Sequence, residues 1–234
     1  MASRPQAKAA QPRSPRLQDG DPTLTRARIL DAAFRRLVAE GYAALSVREI
    51  ARDAGVNHAL INYHFRSKEQ LVIDVLDAVN QRLLARQATM YQSGGGFAEK
   101  WAAARRFYAD DLASGFVRLQ AELMAASLSN PTLRENFLPR LLAWKQLVLG
   151  SVRDALEALA ADGGKLPAPF TPEVVATLIS EFWLGMEFAD LLNAPGERKV
   201  HVAALDAVEQ LLASLDTRLT KGSGRKRASV IRGK

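Results

Sequence analysis

Apolar residues along most of this chain recur every three or four positions, which is the repeat of an amphipathic helix. The segment from Thr25 to Tyr42 shows it first, with an apolar stripe made of Ile29, Leu30, Ala33, Phe34, Leu37 and Val38. We predict a helix there, with Thr25 as its amino-terminal cap and Gly41 as its end. Because no alternating run is long enough for a sheet, the pattern predicts an all-α chain of roughly nine helices.

A short helix is predicted to begin after Ser46. Its apolar positions are Val47, Ile50 and Ala51. Glu49 stands three residues after Ser46, and this spacing is typical of a capping box, in which the two side chains bond the free amides of the first turn. Gly55 is expected to end the helix.

A second short helix is predicted from His58 to Phe65, with Asn57 as its cap. Ile61 and Phe65 lie one turn apart and can pack inward together. The residues left on the outer face are His58, Ala59, Asn62 and Tyr63. Two short helices on a tight turn, the second with an outward polar face, predict a helix-turn-helix that places its second helix in the major groove of DNA.

The run from residue 50 to residue 71 is similar to the hallmark of the TetR family of transcriptional regulators. The matching positions are Ile50, Ala51, Ala54, Gly55, Val56, Ile61, Tyr63, His64, Phe65, Lys68 and Leu71. The segment from Thr25 to Tyr42 resembles the family's first helix. The resemblance implies an N-terminal three-helix helix-turn-helix DNA-binding domain and a C-terminal helical domain for ligand binding and dimerisation.

The outer face of the second helix and the resemblance together predict a set of DNA contacts. These are Thr25, Arg48, His58, Ala59, Asn62, Tyr63, His64 and Lys68. Arg48 can bond guanine with two nitrogens, Asn62 can pair with adenine, and Ala59 can pack on a thymine methyl group. The resemblance assigns Tyr63, His64 and Lys68 to backbone phosphates. A solvated Arg48 and a partly buried capping His64 remain alternatives.

Six further helices are predicted after the helix-turn-helix. They run from Lys68 to about Met90, Phe97 to Leu112, Val117 to Leu128, Pro131 to Ala161, Glu173 to Leu192 and Val200 to Leu219. Pro139 is expected to kink or split the fourth of these. Apolar residues surround much of the Glu173 to Leu192 helix, so one side needs a partner. By resemblance, a homodimer through the last two helices meets that need.

Aromatic and methionine side chains of the body are candidates for a small-molecule site. By position they are Trp101, Tyr108, Trp144, Phe182, Trp183 and Met186. The resemblance implies an inducer pocket between these helices. Its ligand is expected to be apolar or aromatic, and one version of the hypothesis gives the ligand a positive charge. For any single residue, packing in the core is the alternative. Glu187 and Asp190 lie one turn apart and face either such a cation or water.

Charge is distributed unevenly along the 234 residues, which carry a net charge of +7. Residues 217–234 hold seven Lys or Arg and no acid, and residues 1–22 hold four against two Asp. Residues 23–69 have eight basic and five acidic side chains, whereas residues 70–216 have 13 and 18. We therefore predict disordered basic tails at 1–22 and 221–234, a DNA-binding domain at 23–69 and a regulatory and dimerisation domain at 70–220. In a second interpretation, Lys221, Arg225, Lys226 and Arg227 add contacts to DNA phosphates.

Other function classes find little support in the sequence. Cysteine is absent, the three histidines form no cluster, and there is no phosphate-binding loop, so we expect no enzyme activity, no metal and no cofactor. No apolar run approaches membrane-spanning length, and we expect a cytoplasmic protein without membrane contact. The predicted function is a repressor that an inducer releases from a palindromic operator on double-stranded DNA. The alternatives are an activating or ligand-independent DNA-binding regulator, and an all-helical enzyme.

Overall fold

The computed structural model describes residues 21–92, 97–161, 164, 166–193 and 195–232. Within these residues the chain forms nine helices and no strand, so the predicted all-α class is confirmed. The predicted tail at residues 1–22 lies almost wholly outside the described residues. The helices are α1 (Pro22–Ala44), α2 (Val47–Ala54), α3 (His58–Phe65), α4 (Lys68–Gln92), α5 (Phe97–Ser114), α6 (Phe116–Ser127), α7 (Pro131–Ala161), α8 (Pro172–Leu192) and α9 (Glu197–Arg232).

The first helix begins earlier than its predicted cap. The side chain of Asp21 accepts a hydrogen bond from the backbone nitrogen of Thr23 at 2.9 Å, and Pro22 occupies the first turn, where its missing amide costs nothing. Thr25 is therefore not the cap; it lies inside the helix and is buried. Gly41 interrupts the helix as expected, with φ 82° and ψ 170°, and a short turn to Ala44 follows.

The caps around α2 and α3 match the prediction in part. Gly55 ends α2 in the left-handed region at φ 62°, and Asn57 caps α3 by accepting from the amide of Ala59 at 2.9 Å. The capping box was wrong, because the side chain of Ser46 makes no capping bond. Glu49 instead pairs with Arg36 of α1 at 2.7 Å, since packing of α2 across α1 brings a guanidinium within reach.

One hydrophobic core joins the DNA-binding head, made of α1 to α3, to the body, made of α4 to α9. Its fully buried side chains come from α1, α2, α3, α4, α6 and α7, among them Ile29, Leu37, Ile50, Phe65, Leu71, Leu119, Leu123 and Leu133. The backbone of α1 also approaches α6 closely, because a Cβ on Gly41 would stand 2.7 Å from the carboxylate of Glu122. The head is thus packed directly on α4 and α6 of the body.

The remaining helices build the far part of the body. α7 is continuous through Pro139, so the proline does not split it, and a kink there stays a prediction. α9 is longer at both ends than the predicted Val200 to Leu219, and its backbone stays helical through residues 221–232. The composition predicts disorder at residues 221–234 and the domain boundaries given above, and both stay predictions. Thr171 caps α8 as the sequence indicates, accepting from the amide of Val174.

The apolar residues of α8 divide between two sides. Phe182, Trp183 and Met186 pack against α5 and α9 in a core cluster of the body. Val174, Leu178 and Leu192 are exposed, and so are Val200 and Leu211 of α9. The division agrees with the expectation that one side of the last two helices is left for a partner.

Candidate functional site

The second helix of the helix-turn-helix, α3, is held by its inner face and presents its outer face to solvent. Ile61 and Phe65 are almost completely buried, as predicted. His58, Ala59 and Asn62 are exposed. Tyr63 has 79% of its surface exposed, which is unusual for a large aromatic side chain in a folded domain. This surface has the size and polarity to contact base edges and phosphates in a major groove.

Two cations beside this surface have no ion-pair or hydrogen-bond partner among the described side chains. Arg48 projects from α2, where the sequence predicted a base contact, and it is exposed. Arg66 follows α3 directly, in a left-handed conformation at φ 58°, and is also exposed. Arg66 was missed by the sequence reasoning. A basic residue at the turn after a candidate recognition helix was the signal that could have found it.

A third arginine of the head forms ion pairs with three acidic side chains. Arg36 of α1 bonds Asp53 at 2.5 Å, Glu49 at 2.7 Å and Glu40 at 2.9 Å. Its hydrogen bond to Asp53 lowers the pKa of that carboxyl. These acids are paired with Arg36 on α1 and α2, so among the described side chains the unpaired charges beside α3 are those of Arg48 and Arg66, which are positive, as binding to a polyanion requires.

Three of the predicted DNA contacts are placed less favourably. Lys68 points inward: its amine donates to the backbone oxygen of Tyr42 at 2.8 Å and lies 4.3 Å from the centre of that ring. Burial lowers the pKa of Lys68. His64 is half-buried with its ring against Tyr63, and Thr25 is only 6% exposed. In this structure Thr25 is buried and Lys68 bonds the backbone within the head, and the DNA contacts of all three residues remain predictions.

A cavity of about 70 Å³ lies in the body between α4, α5, α6, α7 and α8. Of the six predicted ligand-contacting residues, Tyr108, Trp144 and Trp183 line it. Trp101, Phe182 and Met186 do not line it and belong to the core cluster of α5, α8 and α9. Glu187, which the sequence analysis named as facing a cation or water, also lines the cavity. The other polar side chains of the lining were not singled out by the sequence: Asn80, Gln87, Asp111, Gln120 and Arg140.

The charged groups of this cavity differ in their partners. Asp111 accepts a hydrogen bond from Arg86 at 2.6 Å, and Arg140 donates two hydrogen bonds to Asp77 at 2.7 and 2.6 Å. Glu187 has no ion-pair or hydrogen-bond partner in the described part of the chain. Burial, with the nearby charge of Asp111, raises the pKa of Glu187 to about 8. The cavity thus contains a carboxyl group that is mostly protonated at neutral pH.

Asp190, one turn beyond Glu187, has a different environment. It accepts from the hydroxyl of Tyr108 at 2.6 Å and contacts Nδ1 of His201 at 2.7 Å. Burial opposes the charge of Asp190, but the bonds from Tyr108 and His201 outweigh it and lower the pKa. This network ties α5, α8 and the start of α9 together, and Asp190 also lines a second pocket with Tyr108 and His201.

Two body helices connect the cavity with the head. α6 places Phe116 and Gln120 at the cavity, and two residues later Glu122 accepts from the backbone nitrogen of Tyr42 at 3.0 Å. α4 places Leu76 and Gln87 at the cavity, and its first turn contributes Glu69, which bonds the hydroxyl of Tyr42 at 3.2 Å. Tyr42 therefore bonds two of the five helices that line the cavity.

Other kinds of site receive no support from the described residues. They contain no group of three His, Asp or Glu side chains placed to hold a metal ion. None of the described helices is long and apolar enough to cross a membrane.

Comparison with known proteins supports the interpretation of the head and the fold. Residues 29–75 match the family model described as bacterial regulatory proteins, tetR family. A TetR-family transcriptional regulator from Rhodococcus sp. is 20% identical, with a TM-score of 0.63 over 81% of this chain and 99% of that one. FadR from Bacillus subtilis, solved with stearoyl-CoA, is 21% identical, with a TM-score of 0.65 over 80% and 96%. A transcriptional regulator from Saccharomonospora viridis, solved with choline, is 20% identical, with a TM-score of 0.64 over 82% and 95%.

At these identities the solved structures establish the shared fold, and the family model identifies the helix-turn-helix. Both observations agree with the exposed outer face of α3 and with the helical body behind it. Residues 29–75 are therefore similar to the DNA-binding region of the tetR family of bacterial regulatory proteins, and the chain as a whole shares the fold of the solved regulators.

Proposed function

We propose that this regulator is a repressor that binds a palindromic operator as a homodimer and is released by a small molecule bound in the body. The observation that carries the proposal is the exposed outer face of α3, flanked by the unpaired Arg48 and Arg66. Arg48, Asn62 and Ala59 contact bases in this proposal, and His58, Tyr63 and Arg66 contact phosphates or bases at the groove edge. Because chromosomal DNA is its proposed target, we propose a cytoplasmic location for the protein.

The dimer is proposed to form through the outer sides of α8 and α9. Val174, Leu178 and Leu192 of α8 and Val200 and Leu211 of α9 are exposed apolar side chains. A Cβ added at Gly185 of α8 would meet no other group within 4 Å, so a partner helix could approach closely there. A two-fold axis between the paired helices would set two copies of α3 at successive major grooves, about 34 Å apart.

Release by a ligand is proposed to act through the clamp on Tyr42. A ligand in the cavity displaces side chains of α4 and α6, and the same helices hold Tyr42 through Glu69 and Glu122. The ligand shifts the equilibrium only by its difference in affinity between the DNA-binding and released states. The relatives solved with stearoyl-CoA and choline support ligand responsiveness in this fold, although their ligands differ in chemistry.

Operator binding tests the proposal most directly. The intergenic DNA beside the gene is searched for a palindrome, and binding is measured at several salt concentrations. Arg48→Ala should cost about 1 to 3 kcal/mol on the palindrome and relax specificity at one base pair, because a two-pronged guanine contact is lost. Arg153→Ala, an exposed arginine of the body, is the control. Wild-type affinity and base preference in Arg48→Ala would contradict the assignment.

The alternatives predict different results in the same assay. A ligand-independent or activating regulator would bind the palindrome, but no ligand that fills the cavity would change its affinity. The basic tails at 1–22 and 221–234 would add affinity without sequence preference if they contact phosphates, so their removal would flatten the salt dependence. The assay thus separates the DNA-binding part of the proposal from its ligand-sensing part.

A further inference from the structure

The cavity of the body has a lining whose charges do not balance. Its charged side chains are Asp111, Arg140 and Glu187. Arg140 is satisfied by Asp77 and Asp111 by Arg86, both through short hydrogen bonds. Glu187 has no hydrogen-bond or ion-pair partner among the described residues. A carboxyl that is largely removed from water is costly to ionise without a partner, and a ligand that supplies one would stabilise its charge.

A second residue of the cavity lining has an acceptor without a partner. Gln87 of α4 lines the cavity, and its Oε1 is fully buried without a hydrogen-bond partner in the described chain. Glu187 comes from α8, so the two acceptors approach the cavity from different helices. A carboxyl group without a partner can give up its proton to solvent when a cation binds beside it, and the described cavity lining holds no unpaired cation. Such a lining is complementary to a ligand that donates hydrogen bonds and carries positive charge.

The rest of the lining favours the same kind of ligand. Phe107, Trp144 and Trp183 are among the aromatic side chains around the cavity. The faces of such rings attract a cation, and their area binds an apolar skeleton. A volume of about 70 Å³ holds on the order of five water molecules, and therefore a compact ligand of about five or six non-hydrogen atoms.

We propose that the cavity binds a small protonated amine, whose ammonium group bonds Glu187 while its hydrocarbon part packs among the aromatic rings. The inference rests on the proposed function only in taking this cavity as the effector site. Glu187 is the anchor that selects the cation, because the other charged groups of the lining already have partners. A neutral ligand of equal shape would leave the carboxyl of Glu187 without an ionic donor.

Cyclopentylamine and cyclopentanol form a matched pair of probes, since they have the same size and differ in charge. Binding of each to the full-length protein is measured near pH 7.5 by titration calorimetry and by tryptophan fluorescence, which Trp144 and Trp183 report. The variants are Glu187→Gln, which keeps the shape of the side chain, and Glu181→Gln as the control. Glu181 lies on the same helix but is exposed and paired with Lys145.

Wild-type protein and Glu181→Gln should bind the amine about tenfold or more tightly than the alcohol, and Glu187→Gln should lose that preference. Equal binding of the two probes to wild-type protein, binding of neither, or a preference that survives in Glu187→Gln would overturn the inference. If the variant did not fold, the wild-type comparison would still decide. Neither readout involves DNA, so an amine that binds without changing operator affinity would contradict inducer release and leave the amine site standing.

Discussion

The buried carboxyl of Glu187 should make the stability of this protein fall as pH rises through neutrality. Its pKa is raised from the ordinary 4.5 to about 8 by burial. Between these two values the native state holds the proton and the unfolded chain does not, so the native state is progressively disfavoured as pH increases. Below 4.5 both states are protonated, and above 8 both are ionised, so the full penalty is reached only there.

The size of the effect follows from the same pKa. Each unit of pKa corresponds to about 1.4 kcal/mol, so a rise from 4.5 to about 8 corresponds to a loss of about 5 kcal/mol of unfolding free energy at high pH. Glu187→Gln removes the ionisation and keeps the volume. The variant should therefore resemble wild-type protein at about pH 5 and exceed it by a few kcal/mol at about pH 8.5.

Urea denaturation at these two pH values, at one protein concentration, measures the difference directly. Glu181→Gln provides the control, because its exposed carboxylate should change little at either pH. The reasoning would be refuted if the stability difference between Glu187→Gln and wild-type protein were the same at both pH values. It would also fail if the variant lost stability relative to wild-type protein at the higher pH.

Three further predictions concern the head and the dimer. Arg66→Ala should weaken binding to all DNA sequences alike and reduce the slope of log affinity against log salt by about 1, measured by fluorescence anisotropy; an unchanged slope would remove Arg66 from the phosphate contacts. Lys68→Met should lower the unfolding free energy by about 1 to 3 kcal/mol, because the backbone oxygen of Tyr42 loses its donor, and unaltered stability in denaturation would show that the amine is not held there. Leu178→Glu should shift the protein toward monomer in sedimentation at micromolar concentration, and a dimer as tight as wild type would place the interface elsewhere.

The sequence predicted those features that depend on neighbours within one or two helical turns. Gly55 ends α2 and Asn57 caps α3, because a left-handed turn and a side-chain cap are decided by the residues at the position itself. Ile61 and Phe65 are buried because the helical repeat puts them on one face. The exposed outer face of α3 follows from the same repeat, and with it the candidate DNA surface.

Features that depend on which helices meet could not be predicted in this way. Ser46 and Glu49 have the spacing of a capping box, yet Arg36 takes Glu49, since α1 and α2 cross at that point. Lys68 was expected at a phosphate and instead bonds the backbone of Tyr42, 26 residues away. In both cases the packing of the helices places the charged side chain next to a partner that is distant in the sequence.

Glu187 and Asp190 show the same limit within a single turn of α8. Both are acidic residues of one helix, and the sequence predicted that either of them faces a cation or water. The fold gives Asp190 two partners, the hydroxyl of Tyr108 and the ring of His201, and so stabilises its charge. It leaves Glu187 in the cavity without a partner and raises its pKa. The helical repeat determined that these residues lie near each other, whereas the contacts from α5 and α9 determined which of them is available to a ligand.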